Sequence, residues 1–490
     1  MTTLTRICLL PVLFVSALLV ALPSELLAGD EAEMITRYPE AALLMIPKEE
    51  RAALTSVLAK FPSYEPRYPP PAGVKSFELS QDYPTEYPPS EKFPWMDIDF
   101  RNHPYAYAKS VLDYCLEGNI EVNFKVQENP TRKWYHAPWM HTDGEEFGGG
   151  REFHRGMTRE RRSREFELHT LQDVRAQNWA VGFYNIRGGY TLGRVWNTAS
   201  GVPEPRNAVF PDNTVTFKLL FTDAPVDKVP FLRDSVEWLA NVYPDTRYNQ
   251  PRIDKTMRLL QVDIAVKDPR ASAESGWVFG TFIYDAGSPG NSAWKRLVPV
   301  GIAWGDDSEE MRRFNESGVF LNHYLDDTRV NHALVEVEGY NYDDKAYVRH
   351  FGLGGRLNGP VDNPISSCIS CHGRAGTHTN ALPLSSNSGR PLPFANFQLR
   401  KPEDFTEGDF RIWFKQVRSG VYLFEYEDDT YYTTDYSLQI SAGIRNFYSE
   451  LRLDTSLGNK LAEHGLMVVS PEELAGLEKL PIVTREIDSD

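Results

Sequence analysis

The chain has 490 residues, 52 Lys and Arg against 68 Asp and Glu, and a formal net charge of −16. So acidic a protein offers no electrostatic case for nucleic acid or an anionic membrane surface, and its length predicts two or more domains. Four cysteines among 490 residues exclude a disulfide-framed fold, while 26 Phe, 24 Tyr and 10 Trp can fill large cores.

Residues 1–28 have the layout of a secretory signal: Arg6 in a short charged start, an apolar run from Ile7 to Leu22, and small residues up to Ala28. The run is shorter than the about 20 residues of a membrane span, so cleavage near Ala28, a periplasmic location and no stable span in the mature chain are expected. Cys8 lies inside the run and leaves with it. Residues 29–93 are rich in Pro and Tyr, as in Tyr64-Glu-Pro-Arg-Tyr-Pro-Pro-Pro71. Apart from a helix-like stretch at Glu31 to Leu58, broken by Pro39 and Pro47, this part should be extended.

Residues 94–346 are dominated by strand signals. Leu260, Val262, Ile264 and Val266 alternate with Gln261, Asp263 and Ala265, and Thr214–Phe221, Trp277–Tyr284, Leu297–Trp304 and Leu334–Tyr340 are β-branched and aromatic. Short strands without regular helices between them predict an antiparallel sandwich or jelly roll. His136, His141 and His154 lie close in sequence and could bind a metal or approach a cofactor edge, or be hydrogen-bonded loop histidines. Arg151, Arg155, Arg159, Arg161, Arg162 and Arg164 alternate with glutamates. They read as a solvated helix face, or as partners for acidic groups on a cofactor. Cys115 reads as a small buried hydrophobe.

Residues 347–490 change character. A glycine-rich approach from Phe351 to Pro364 leads into Cys368-Ile369-Ser370-Cys371-His372. Two thiols three residues apart can each add across one haem vinyl group, and the next imidazole then lies under the iron as axial ligand. Chance supplies this pattern about once in a thousand chains of such composition. The competing reading is a zinc site of Cys368, Cys371, His372 and His378, in which adjacent Cys371 and His372 crowd one tetrahedral ion. Three helix starts follow. Thr406 precedes Phe410, Trp413, Phe414 and Val417; Thr434-Asp435 precedes Ile440, Ile444, Phe447 and Leu451; Ser470-Pro471-Glu472-Glu473 opens the last.

A helical segment that opens on CxxCH resembles the haem domain of the c-type cytochromes. With Trp277–Asp285 and Leu297–Gly305 added, the chain is similar to large bacterial proteins of the cytochrome c family. The resemblance implies a multidomain α+β protein whose residues 347–490 form a mostly helical cytochrome c-like domain. It implies one haem c bound covalently through Cys368 and Cys371, His372 on the iron, and single-electron exchange with a redox partner protein. Ordinary members add a methionine ligand after the motif, and Met467 is the one methionine there. His464, His350, His378, a histidine of the β-rich region or an open position are the alternatives. An open position would make the protein a haem enzyme or small-molecule sensor, and the large β-rich region also suits a ligand-binding protein with a subordinate haem. No phosphate loop and no G-x-S-x-G elbow points to other chemistry.

Overall fold

A computed structural model describes residues 62–140, 149–198, 203–247, 250–272, 274–305, 327–331, 352, 356–362, 366–378, 417–426 and 429–453. Residues 62–93 carry neither helix nor strand, as their prolines dictate, and run along the body. Tyr83 Oη donates to the His136 carbonyl at 2.6 Å and Arg187 Nη2 to the Pro89 carbonyl at 2.9 Å, while Phe93 and Trp95 are buried. Helix α1 (Pro104–Leu116) starts on a proline, whose missing N–H is no loss in a first turn. It buries Val111, Leu112 and Cys115, and burial pushes the Cys115 thiol well above its ordinary value.

The body is one antiparallel sheet of eight strands. Its members are β1 (Thr158–Ser163), β2 (Ala176–Tyr184), β3 (Val215–Thr222), β4 (Glu237–Val242), β5 (Ile253–Lys267), β6 (Trp277–Tyr284), β7 (Leu297–Ala303) and β8 (Thr328–Val330). They run in the order β1-β2-β3-β5-β6-β7-β8, with β4 also on β5. The 15-residue β5 is the spine, and its Arg258 pairs with both Thr222 of β3 and Glu237 of β4. No helix among the described residues is long and apolar enough to cross a membrane.

Register divides the sheet into two unlike faces. Phe183, Phe217 and Ile264 lie abreast, as do Val181, Leu219, Val262 and Phe282. This face is apolar: Phe183 stacks on Phe217 at 4.7 Å and Trp134 meets Phe217 edge-on at 4.8 Å. One residue along, Gly182, Lys218, Asp263 and Thr281 form a row, beside Tyr184, Thr216, Ala265 and Phe279. Period-two alternation places these eight on the opposite, more polar face.

Helix α2 (Ile186–Trp196) follows β2 directly, and its Asn185 cap accepts a hydrogen bond from Gly188 N at 3.1 Å. Its glycines let neighbouring side chains approach closely. A Cβ at Gly188 would stand 2.8 Å from Tyr184, one at Gly193 2.9 Å from Tyr83, and one at Gly189 would collide with the Tyr135 ring.

Two expectations are corrected. The eight strands belong to one hydrogen-bonded sheet, not to the two facing sheets of a sandwich or jelly roll. The C-terminal residues are not mostly helical where described. They form the short α3 (Cys368–His372), a sheet of β9 (Gly376–His378), β10 (Leu423–Tyr426) and β11 (Asp429–Thr433), and α4 (Leu438–Leu453). The aromatic and β-branched runs Leu423-Phe-Glu-Tyr and Thr430-Tyr-Tyr-Thr pair as a hairpin, which outweighs the helical surroundings. In α4 the expected face is borne out, with Ile440, Ile444 and Phe447 buried. The helices after Thr406 and Ser470, the strand Leu334–Tyr340 and residues 1–28 lie outside the described residues. One hydrophobic cluster runs from Tyr83 to Phe447, so the sheet and the C-terminal residues share a core.

In α2 propensity and packing oppose one another. Alanine gains about 0.8–1.0 kcal/mol over glycine inside a helix, whereas overpacking a filled site costs about 1–3 kcal/mol. Gly189→Ala is therefore expected to lower the denaturant midpoint, because the Tyr135 ring is held by backbone pairing of Tyr135 with Tyr184 and has nowhere to move.

Candidate functional site

The pentapeptide folds as α3, a helix of 5 residues that could not persist alone in water. A reciprocal cap starts it: Ser370 N donates to Ser367 Oγ at 2.9 Å and Ser367 N to Ser370 Oγ at 2.7 Å. Cys368 N bonds the Leu357 carbonyl at 3.0 Å, and Thr434 N bonds the Ala375 carbonyl at 3.0 Å. Both ends are thereby tied to other parts of the chain.

The next turn holds the imidazole. Asp435 and Tyr436 both adopt left-handed backbone, with φ of 44° and 67°, which carries the Tyr436 carbonyl to 2.9 Å from His372 Nδ1. Asp435 fixes that turn. Its fully buried carboxylate accepts from Lys267 Nζ at 2.6 and 2.8 Å, Phe210 N at 2.8 Å, Gly420 N at 2.9 Å and Trp277 Nε1 at 3.1 Å. Nδ1 of His372 is therefore committed to a carbonyl, which selects the tautomer with a lone pair on Nε2. Burial, above all, lowers the His372 pKa to about 4, so the ring is neutral near pH 7.

Cys368, Cys371 and His372 all line one cavity of ≈ 390 Å³ between the polar face of the sheet and the N-terminal half of α4. The sheet contributes Gly182, Tyr184, Thr216, Lys218, Asp263 and Phe279, and α4 contributes Gln439, Ala442, Arg445 and Asn446. Small residues (Gly182, Thr216, Ala265) leave the floor low. Phe279 stands against His372 at 4.9 Å between ring centres.

Within the floor, Lys218 Nζ lies 3.1 Å from Asp263, whose oxygens also accept from Gln261 (2.8 and 3.0 Å) and Thr281 Oγ1 (2.9 Å). Burial opposes the charge of Lys218, but Asp263, Glu160 and Asp362 outweigh it and hold the ammonium well above the ordinary lysine value. Sequence reasoning missed Lys218, Asp263 and Asp435. The first two are charges flanked by apolar strand residues, as in Phe217-Lys218-Leu219 and Val262-Asp263-Ile264. That pattern was a usable signal of polar groups facing an enclosed space.

The histidine constellation does not converge. His136 is fully buried between Phe77 and Phe183, its Nδ1 accepting from Ser80 N at 3.0 Å. Burial, helped by Arg151, holds its pKa well below the usual histidine value. His154 stands 3.1 Å from Asp254 on β5, and His141 lies outside the described residues. The arginine run is edge strand β1 and its approaches, not a helix face. Arg159 and Arg161 line the cavity, Arg151 is buried against the Ala137 and Gly156 carbonyls, and Arg155 stacks on Trp238 at 4.6 Å. Met467, His464 and His350 lie outside the described residues, as does the side chain of His378. Among the described residues no group of three or more His, Cys, Asp or Glu is disposed to hold a bare metal ion.

No protein-family model, no curated protein and no solved structure matches this chain. The expectation of a c-type cytochrome therefore rests on the pentapeptide.

Lys267 and Asp435 retain only 9% and 0% side-chain exposure, so removing one strands the other. Asp435→Ala is expected to lower unfolding stability by about 3–5 kcal/mol. Adding Lys267→Met should recover part of that loss, as read from denaturant midpoints of the single and double variants.

Proposed function

We propose that this protein is an exported monohaem c-type cytochrome that passes single electrons between redox partner proteins outside the cytoplasm. The observation that carries the reading is the shared cavity: both thiols of the pentapeptide and the His372 imidazole border one space of ≈ 390 Å³. A zinc ion needs no such volume, whereas a macrocycle joined through two thioethers does.

The residues present fit haem c. When bound, that group supplies a reversible one-electron couple. Cys368 and Cys371 would anchor it, and His372 Nε2 would ligate its iron. The Tyr436 carbonyl orients the ring and raises its basicity through Nδ1. Phe210, Trp277 and Phe279 keep water from the His372 side. Arg159, Arg161 and Arg445 border the cavity as cationic neighbours for the macrocycle's two carboxylates. Export is supported by the signal layout of residues 1–28 and by attachment chemistry that takes place outside the cytoplasm. The eight-stranded sheet serves as one wall of the cofactor pocket.

The test is expression in a host that matures c-type cytochromes, followed by haem staining on a denaturing gel. Wild-type protein should stain and fractionate outside the cytoplasm, and Cys368→Ala with Cys371→Ala should abolish the stain. A wild-type chain without covalent haem would overturn the reading. A high-spin ferric haem that takes up CO when reduced would replace electron transfer with small-molecule chemistry at the iron.

A further inference from the structure

We infer that the second axial ligand of the haem is Met140, supplied by the segment that precedes β1 rather than by the chain beyond the pentapeptide. The inference rests on the haem reading above. Among the described residues that line the cavity, His372 is the only imidazole and Met140 the only thioether. The basic side chains and Asp263 are poorer candidates. Lys218 is an ammonium held by Asp263, arginines have no lone pair to give, and the oxygens of Asp263 already accept four hydrogen bonds or ion-pair contacts. A half-buried thioether is a soft, neutral donor of the kind that haem iron accepts opposite histidine.

Placement agrees with this. Helix α4 forms one wall of the cavity, and the two candidate ligands are tied to its start and to its middle. At its start, Tyr436 holds His372 Nδ1 at 2.9 Å. Two turns further on, Asn446 Nδ2 donates to the Trp139 carbonyl at 2.8 Å, immediately before Met140. Ser437 and Asn446 are about 13 Å apart along the axis at 1.5 Å per residue. Two side chains reaching inward, with an iron between them, bridge such a span.

Trp139 has φ of 56°, a left-handed conformation that a bulky residue adopts only when its surroundings impose it. It is gripped edge-on by Phe447 at 4.9 Å and stacked with Trp196 at 6.5 Å. The strained turn sets the direction in which Met140 leaves the backbone, and clustering of such outliers at ligand clamps is a recurrent use of backbone strain.

The test uses the full-length exported holoprotein and Met140→Leu, which keeps volume and apolarity while removing the sulfur. Wild-type ferric protein should show the weak far-red sulfur-to-iron charge-transfer band, and its ferrous form should not bind CO. Met140→Leu should retain the haem stain, lose the band and bind CO. Met140→His should stay low-spin and six-coordinate without the band, at a lower midpoint potential. Met467→Leu should leave the band intact. The proposal is overturned if Met140→Leu keeps the band, if Met467→Leu loses it, or if wild-type protein never shows it. Absence of covalent haem from the wild type would instead defeat the underlying haem reading.

Discussion

Lys267 and Asp435 lie 168 residues apart in sequence and meet at 2.6 Å inside the protein. Moving two charges out of water is costly, and their attraction repays that cost only when other hydrogen bonds complete both shells. Here Asp435 also takes the Trp277 indole and two backbone N–H groups, so the carboxylate is saturated. Everything on the cavity's C-terminal side is positioned from this point: the left-handed turn, the Tyr436 carbonyl, the His372 ring and the start of α4.

The sheet supplies the complementary half. A single antiparallel sheet normally buries one face and wets the other. This one buries both, the apolar face under aromatic side chains and the polar face under α3, α4 and the turn between β11 and α4. Burying the polar face is tolerable because its charges are paired, Lys218 with Asp263 and Lys267 with Asp435. The small residues between them leave room that a continuous apolar face would have filled by packing. A polar, partly hollow interface can hold a ligand; a close-packed one cannot.

Much of the fold was legible, and the illegible parts have physical causes. The alternation in β5 assigned Val262 and Ile264 to one face and Asp263 and Ala265 to the other, and the structure agrees. Periodicity, however, says which residues share a face and not what covers it. Helix α2 escaped notice because Gly188, Gly189 and Gly193 each weaken helix propensity. The helix exists through the close contacts those glycines admit, a tertiary effect. The stretch Thr158–Ser163 read as a solvated helix face, yet it forms an edge strand, where charge serves to discourage pairing with another chain. The cavity residues are harder still. CxxCH is local and readable, but Lys218, Asp263, Tyr436 and Met140 come together only through strand register and the fold of a distant turn.

The brevity of α3 has a consequence for timing. Five residues cannot repay the nucleation cost of a helix, and its bonds to Leu357 and through Ala375 to Thr434 all require tertiary structure. Before folding, therefore, the pentapeptide is open chain and its two sulfurs are accessible from every side. Afterwards they are half-buried and border the cavity between the sheet and α4. An enzyme that modifies those sulfurs meets the least hindrance on the still extended polypeptide, and folding then packs the surrounding residues about the modification.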